Sequence, residues 1–359
     1  MSEHSIISAS GAGRWVSCTG SVEMCRPIPE VISQSAAEGH AAHWAATEMI
    51  YGKDNMVGRK APNGHIIDDE MVQHITPYVE DIHSVSRTHL MVEKTVPITR
   101  VNEAAFGTPD CWYFDIPNAT LYIWDLKYGW GLVEVYENWQ LIMYAIGVTD
   151  YIGEEHIDKI VMLLAQPRPP HKDGRIREWV IKATDLRPYG NILAAKAIEA
   201  LSDNSTLSTG PWCRNCEALL VCPANRSATL NAIDITGLPV TPEKSDIGYE
   251  LELLTRAKDL IKQRHEACET RAIELIKQGS QVSGWSIEPI PGRLQWTKTT
   301  AEVSILGSVY GIDLIQEPAA ITPSQAITKG IPEPVITGYS ERKPSSIKLT
   351  KDDFRRVFK

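Results

Sequence analysis

The chain lacks the marks of several protein classes, and each absence narrows the reading. No apolar run approaches the roughly 20 residues that span a bilayer, so no transmembrane helix is expected. The start, Met1-Ser2-Glu3-His4-Ser5, has no basic segment leading into an apolar core, and no signal peptide is expected. No internal repeat or low-complexity tract occurs. Positive charge is in deficit, with a formal net charge of −9. That counts against the broad basic surface of a strong non-specific DNA binder, but it leaves room for a basic groove beside an acidic metal site. Cysteines number seven, an odd and unevenly spaced set. In a chain of intracellular character this favours metal ligation over disulfides. What remains is ordinary globular material. At 359 residues, 43% hydrophobic and 23% charged, the chain can bury a large core as one large domain with an appendage, or as two domains.

The most informative stretch runs from Gly107 to Tyr144. Asp110 precedes Cys111-Trp112-Tyr113-Phe114, a β-prone run, and Asp115-Ile116-Pro117-Asn118 is turn material. Leu121 to Trp124 is β-prone again and leads into Asp125-Leu126-Lys127. Alternation along a strand puts Asp125 and Lys127 on one face and Leu126 in the core. Two carboxylates on adjacent strands are hard oxygen ligands suited to Mg²⁺ or Mn²⁺, and a lysine beside them can orient water or offset developing negative charge. The bland alternative is a solvated surface pair between Asp125 and Lys127. Beyond them, Tyr128-Gly129-Trp130-Gly131 reads as a tight exposed turn. Trp130 is expected to pack, with base stacking as the alternative. From Glu137 a helix follows, with Asn138, Gln140 and Tyr144 polar against a buried side of Leu141, Ile142 and Ala145.

Gly107-Thr108-Pro109-Asp110, Asp125-Leu126-Lys127 and Gln140-x-x-x-Tyr144, in that order, resemble the PD-(D/E)XK superfamily. Within it the chain is similar to phage-borne RecB-like exonucleases and to the CRISPR-associated RecB-like exonucleases. The resemblance implies an α/β restriction-endonuclease-like core, a mixed central sheet flanked by helices. It implies Asp110 and Asp125 as metal ligands, Lys127 as the catalytic lysine and the Leu126 carbonyl as a further ligand. Gln140 and Tyr144 would contact substrate or brace the site. The run Glu38-Gly39-His40-Ala41-Ala42-His43 resembles the family's Glu-Gly-Thr-x-x-His motif, with His40 where threonine is usual. It implies His43 as a metal ligand on an alanine-rich helix from Ala36 to Tyr51. Glu93, in an expected strand Met91 to Val96 pairing with the Asp110 strand, stands where the family often has an acid. It is read as a ligand or water-orienting group, or else as a solvent-facing edge glutamate.

Three cysteines, Cys213, Cys216 and Cys222, are spaced to converge on one metal centre. With Pro223 they resemble the cysteine triplet of iron–sulfur RecB-like nucleases. There a lone upstream cysteine completes a [4Fe–4S] cluster, which implies Cys18, with Cys25 as rival. A four-thiolate structural Zn²⁺ is the competing metal. Either centre would clip the two ends of the domain together. Cys111 and Cys268 read as core or neutral.

Elsewhere, a short helix capped by Ser8 or Ser10 carries Trp15 inward. A helix spans Glu70 to His89, with a possible fresh start at Pro77. Ile157 to Gln166 is a central strand. The densest basic stretch, Arg168, His171, Lys172, Arg175 and Arg177, is a loop for phosphate contact or for solvent. A helix covers Thr184 to Leu201. The domains are expected as 1–230 for the nuclease core, 231–245 for a linker and 246–359 for an extension. The extension comprises a long helix ending at Gly279, a hairpin joining 284–287 to 294–297, and a basic tail. The resemblance therefore implies a Mg²⁺- or Mn²⁺-dependent DNA exonuclease in phage recombination or DNA-end processing. Its site would lie in the cytoplasm of a bacterial host, with DNA as partner, a single-strand annealing protein or helicase as associate, a homo-oligomer as an option and no membrane. The alternative is a catalytically weak DNA-end-binding or assembly module.

Overall fold

The structure, a computed structural model, describes residues 5–29, 33–233, 247–316, 319–320 and 322–351. It divides into two compact units, Met1–Arg264 and His265–Lys359.

The first unit opens with short helices α1 (Ala12–Ser17) and α2 (Ser21–Cys25), then α3 (Gln34–Ile50) and α4 (Asp69–Val85). Ser33 caps α3 by accepting from Ala36 N, and Asp68 caps α4 by accepting from Met71 N at 2.8 Å. Five strands form a mixed sheet: β1 (Met91–Val92), β4 (Cys111–Asp115), β5 (Thr120–Leu126), β6 (Lys159–Ala165) and β7 (Ile176–Lys182), side by side in that order. A separate two-stranded ribbon joins β2 (Val96–Pro97) to β3 (Phe106–Gly107). β4 and β5 are the expected hairpin, and β5 and β6 run parallel. A parallel pair needs a crossover, which α5 (Trp139–Ile152) supplies. The unit continues through α6 (Leu186–Ala200) and α7 (Pro223–Ile233) into α8 (Ile247–Lys277).

The sheet is covered on both faces. Leu121 and Ile123 of β5 pack in one core with Trp15, Leu141, Ile142 and Leu193. Trp124 and Leu126 pack in a second with Ala42, Ala46, Ile75 and Ile82 of α3 and α4. Strand alternation therefore turns Asp125 toward the α5 face. This is an α/β protein with helices on both sides of a mixed sheet, as expected.

Several local expectations are corrected. Met91 to Val96 is not one strand. It breaks at Glu93, whose φ of 51° is left-handed, so β1 pairs with β4 and β2 with β3. α4 runs straight through Pro77. The lost backbone bond costs less than unwinding a helix whose Met71, Ile75, Tyr78, Val79 and Ile82 are all buried. Neither Ser8 nor Ser10 is the cap of α1; Gly11 holds that position and donates its N–H to Ser8 Oγ at 3.1 Å. α5 has no polar side over Leu141–Thr149, which is buried throughout, because β2, α1 and α6 surround it. The first residues of the expected 231–245 linker are helical, as the end of α7 (Pro223–Ile233). Most of the expected 231–245 linker lies outside the described residues.

In the second unit, β8 (Trp285–Trp296) is one strand rather than a local hairpin. Its antiparallel partner is β11 (Ser340–Lys351), so the expected basic tail supplies a strand. α9 (Thr300–Tyr310), the pair β9 (Ile315–Gln316) and β10 (Ala319–Ala320), α10 (Pro323–Thr328) and α11 (Glu333–Thr337) lie between them. Val303, Leu306, Leu314, Ala326, Ile331 and Ile336 form their core. The long helix α8 stops as expected, with Gly279 at φ 85°.

Candidate active site

Hairpin register brings the two acids together. Cys111 pairs with Trp124, so Asp110 and Asp125 stand one step further along at the same end of the sheet. Asp110 Oδ2 accepts from Leu126 N at 2.6 Å, and its Oδ1 lies 3.2 Å from Nδ1 of His43, which α3 projects from the opposite layer. Glu93 reaches the same place from its left-handed turn, where its N–H donates to the Asp110 carbonyl at 3.1 Å. Ligating atoms of His43, Glu93 and Asp110 all lie within 4.8 Å of one another. A small cavity lined by His43, Thr47, Tyr78, Glu93, Asp110 and Leu126 adjoins them.

Asp125 stands outside that group of three, yet close enough for its charge to act on His43 and Asp110. It is 1% exposed, with Oδ2 2.8 Å from Lys127 Nζ and Oδ1 accepting from Gln140 Nε2 at 3.0 Å. The lysine contact is off hydrogen-bond alignment, which leaves a buried carboxylate oxygen without an aligned donor. Gln140 Nε2 also lies 2.9 Å from the Tyr144 hydroxyl, so the i, i+4 pair on α5 braces Asp125. The bland reading of Asp125 and Lys127 as a solvated surface pair does not fit this burial.

Tyr144 in turn rests on Gly107. A Cβ at Gly107 would stand 2.8 Å from its ring, which accounts for the glycine of Gly107-Thr108-Pro109-Asp110. Gly107→Ala is therefore expected to displace the ring, free Gln140 and destabilise the protein by about 1–3 kcal/mol, read from the urea midpoint. A wild-type midpoint would refute the packing account.

The charges are tightly coupled. Burial opposes protonation of His43, but the Asp110 carboxylate outweighs it and raises the pKa to about 8. Burial and the Asp110 charge raise Glu93 to about 7. For Asp110, His43, Lys127 and the Leu126 N–H overcome burial and hold the pKa below the usual range. Asp125 is pushed up, by burial first and then by Asp110, against the pull of Lys127. Lys127 is raised, because its two aspartates outweigh burial. Divalent ligands must shed their protons, so cation affinity should rise with pH. Between pH 6 and 8, deprotonation of Glu93 and His43 should tighten Mn²⁺ binding by roughly several hundredfold, with net proton release in calorimetry across buffers of different ionisation enthalpy. A pH-independent affinity would count against both as ligands.

The basic stretch is mostly engaged. Arg168 forms a two-bond pair with Glu38 of α3, at 2.9 and 2.5 Å, and lies 3.9 Å over the Tyr128 ring. Arg177 is buried and donates to Gln166 Oε1 at 2.8 Å. Trp130, expected to pack, is 67% exposed in the bend between Gly129 and Gly131. Sequence reasoning gave no role to Gln166. Its only signal was a polar residue closing the apolar run that ends at Ala165.

The cysteines gather where the first unit's beginning meets residues 206–222. Gly20 N donates to Thr206 O, and Thr206 N donates to Thr19 Oγ1. Cys18, Cys213, Cys216 and Cys222 line one small cavity. Cys18 Sγ accepts from Ser208 N, Cys213 Sγ from Gly210 N and Cys222 Sγ from Asn225 N, at 3.3–3.5 Å. Cys25 lies outside that cavity lining, with its Sγ 3.7 Å from that of Cys216, and the two group with Glu217. Cys111 is a buried core residue, and Cys268 is exposed.

Fold and site thus define an α/β protein with a buried acid–lysine centre and a cysteine cluster. The chain belongs to the family described as protein of unknown function, DUF2800, whose model matches residues 4–326. Among solved structures it is similar to the crystal structure of SSO0001, at 14% identity over 62% of this chain and 89% of that one, with a TM-score of 0.29. It is also similar to a phage related exonuclease from Haemophilus somnus 129PT, at 13% identity over 47% and 81%, with a TM-score of 0.22. At those scores neither likeness bears on the chemistry here. Among the described residues no helix is long and apolar enough to cross a membrane.

Proposed function

We propose that this chain is a divalent-metal-dependent DNA nuclease of the PD-(D/E)XK type, acting on phosphodiester bonds as an exonuclease in phage recombination or DNA-end processing. The observation that carries the reading is the pair of buried Asp125 with half-buried Lys127, beside the His43, Glu93 and Asp110 donors. One imidazole and several carboxylates suit Mn²⁺ or Mg²⁺ better than a soft metal. Asp110, Asp125, His43, Glu93 and the Leu126 carbonyl are the residues that would hold it. Such an ion, when bound, polarises a phosphoryl oxygen and lowers the pKa of water. Lys127 keeps its charge, raised by the aspartates, and can stabilise negative charge on the phosphate in the transition state. Gln140, anchored by Tyr144, keeps the Asp125 carboxylate from rotating. The leaving strand and the attacking water need no covalent enzyme intermediate. The test is digestion of end-labelled single- and double-stranded DNA with Mg²⁺ or Mn²⁺; no cleavage by the wild type under any of these conditions would refute it and favour the end-binding alternative.

A [4Fe–4S] cluster on Cys18, Cys213, Cys216 and Cys222 is the second part of the reading. A tetrahedral zinc site, with Zn–S near 2.3 Å, sets its thiolates about 3.8 Å apart. Whether the four thiolates hold that ion or the larger cluster is decided by iron, sulfide and zinc analysis of the purified protein. Backbone N–H donors on three of the sulfurs are the kind of contact that tunes such clusters.

A further inference from the structure

We propose that Trp130 is a stacking platform for an unpaired base of the strand whose backbone reaches Lys127, so that the substrate enters as single-stranded DNA. This deepens the nuclease reading and rests on it.

A lone exposed hydrophobic side chain needs no explanation by itself. Trp130 is different because of what holds it. Among the described residues it is the most exposed aromatic, at 67%. Its loop is nevertheless pinned from below. Gln166, 2% exposed, donates Nε2 to the Gly131 carbonyl at 2.6 Å, while its Oε1 accepts from Val133 N at 3.2 Å and from buried Arg177. Two buried polar side chains are thus committed to fixing a solvent-facing turn. The Arg168 guanidinium lies 5.6 Å from the Trp130 ring centre and 3.9 Å from that of Tyr128. Glu38 locks that arginine to α3, the helix that carries His43. The indole therefore has one side near a fixed cation and the rest open to solvent, an arrangement that favours stacking on a π-face.

Its place selects the ligand. Trp130 follows Lys127 by three residues, a span of at most about 11 Å. That span lets a base stacked there and a phosphate beside the lysine belong to one strand segment. Within a duplex both faces of every internal base are covered by neighbours and only the outermost pair has one face free, whereas every unpaired nucleotide can offer a free face. Stacking reads every base alike, which gives strand preference without sequence preference.

The test uses the full chain as wild type, Trp130→Phe, Trp130→Ala and Asp125→Ala. Binding of an end-labelled oligonucleotide, single-stranded or as a blunt duplex, is measured in Ca²⁺, and cleavage in Mn²⁺. Trp130→Ala should bind the single strand roughly tenfold more weakly, Trp130→Phe should recover most of the loss, and duplex affinity should move by less than about twofold. Equal loss on both substrates, or none on the single strand, overturns the proposal. If Trp130→Ala binds and cuts like wild type while Asp125→Ala is inactive, stacking falls and the nuclease reading stands. If Asp125→Ala cuts like wild type the nuclease reading falls, and the binding arm still judges Trp130 separately.

Discussion

Asp125→Ala should lower Mn²⁺-dependent DNA cleavage by at least about a hundredfold while leaving a folded protein. The residue is buried, faces Lys127 at 2.8 Å and is held by Gln140. Its loss removes a candidate ligand and the counter-charge that places the lysine. The fold should survive, because burial and Asp110 already make an ionised Asp125 unfavourable. Asp125→Asn is the sharper variant. It keeps the shape and the Gln140 contact, so its melting temperature should stay within about 3 °C of wild type while activity collapses. Full activity in either variant would end the proposed mechanism. Lost activity together with a melt lowered by ten degrees or more, roughly several kcal/mol for a chain this size, would show a structural residue instead.

Cys213→Ser should strip the iron and cost the protein more stability than any substitution in the acid site. Cys213 lines the cavity shared with Cys18, Cys216 and Cys222, and that cavity joins the segment after α1 to residues 206–222. Metal-binding free energy in such a clip is folding free energy, about 10 kcal/mol or more in small structural sites. Anaerobically purified wild type should carry iron and sulfide and be visibly coloured. Cys213→Ser should lose the colour and melt well below wild type. Cys111→Ala should keep the colour, since Cys111 sits in the core beneath Trp124 and Leu126. Zinc without iron in the wild type would replace the cluster with its competitor. Wild-type stability in Cys213→Ser would remove the clip altogether.

Much of the core around the site could be read from the sequence, because it depends on local pattern. The β4–β5 hairpin follows from two β-prone runs around Asp115-Ile116-Pro117-Asn118, and its register places Asp110 beside Asp125. The apolar run of β6 and the alanines of α3 were equally plain. What escaped depends on partners distant in sequence. Glu93 was named as a candidate, but the left-handed break that carries it to the site is marked by no propensity. Arg168 looked like one of a basic cluster, yet its partner Glu38 lies 130 residues earlier. β8 resembled a hairpin closed on itself, because its true partner, β11, follows more than forty residues later. Trp130 was read as packed because most tryptophans are, and only the Gln166 anchor shows why this one stays outside.

The junction of Thr19 with Thr206 has a consequence for synthesis. The earliest helices of the unit dock on a segment made almost two hundred residues later. α1 takes its seat on α5 and α6 as they emerge, but the junction at Thr19 and Gly20 stays open until Thr206 and the cysteine-bearing turn follow. Such long-range closure folds slowly. A nascent chain arrested before residue 213 should be cut by protease near its N-terminus, and one released after residue 230 should resist.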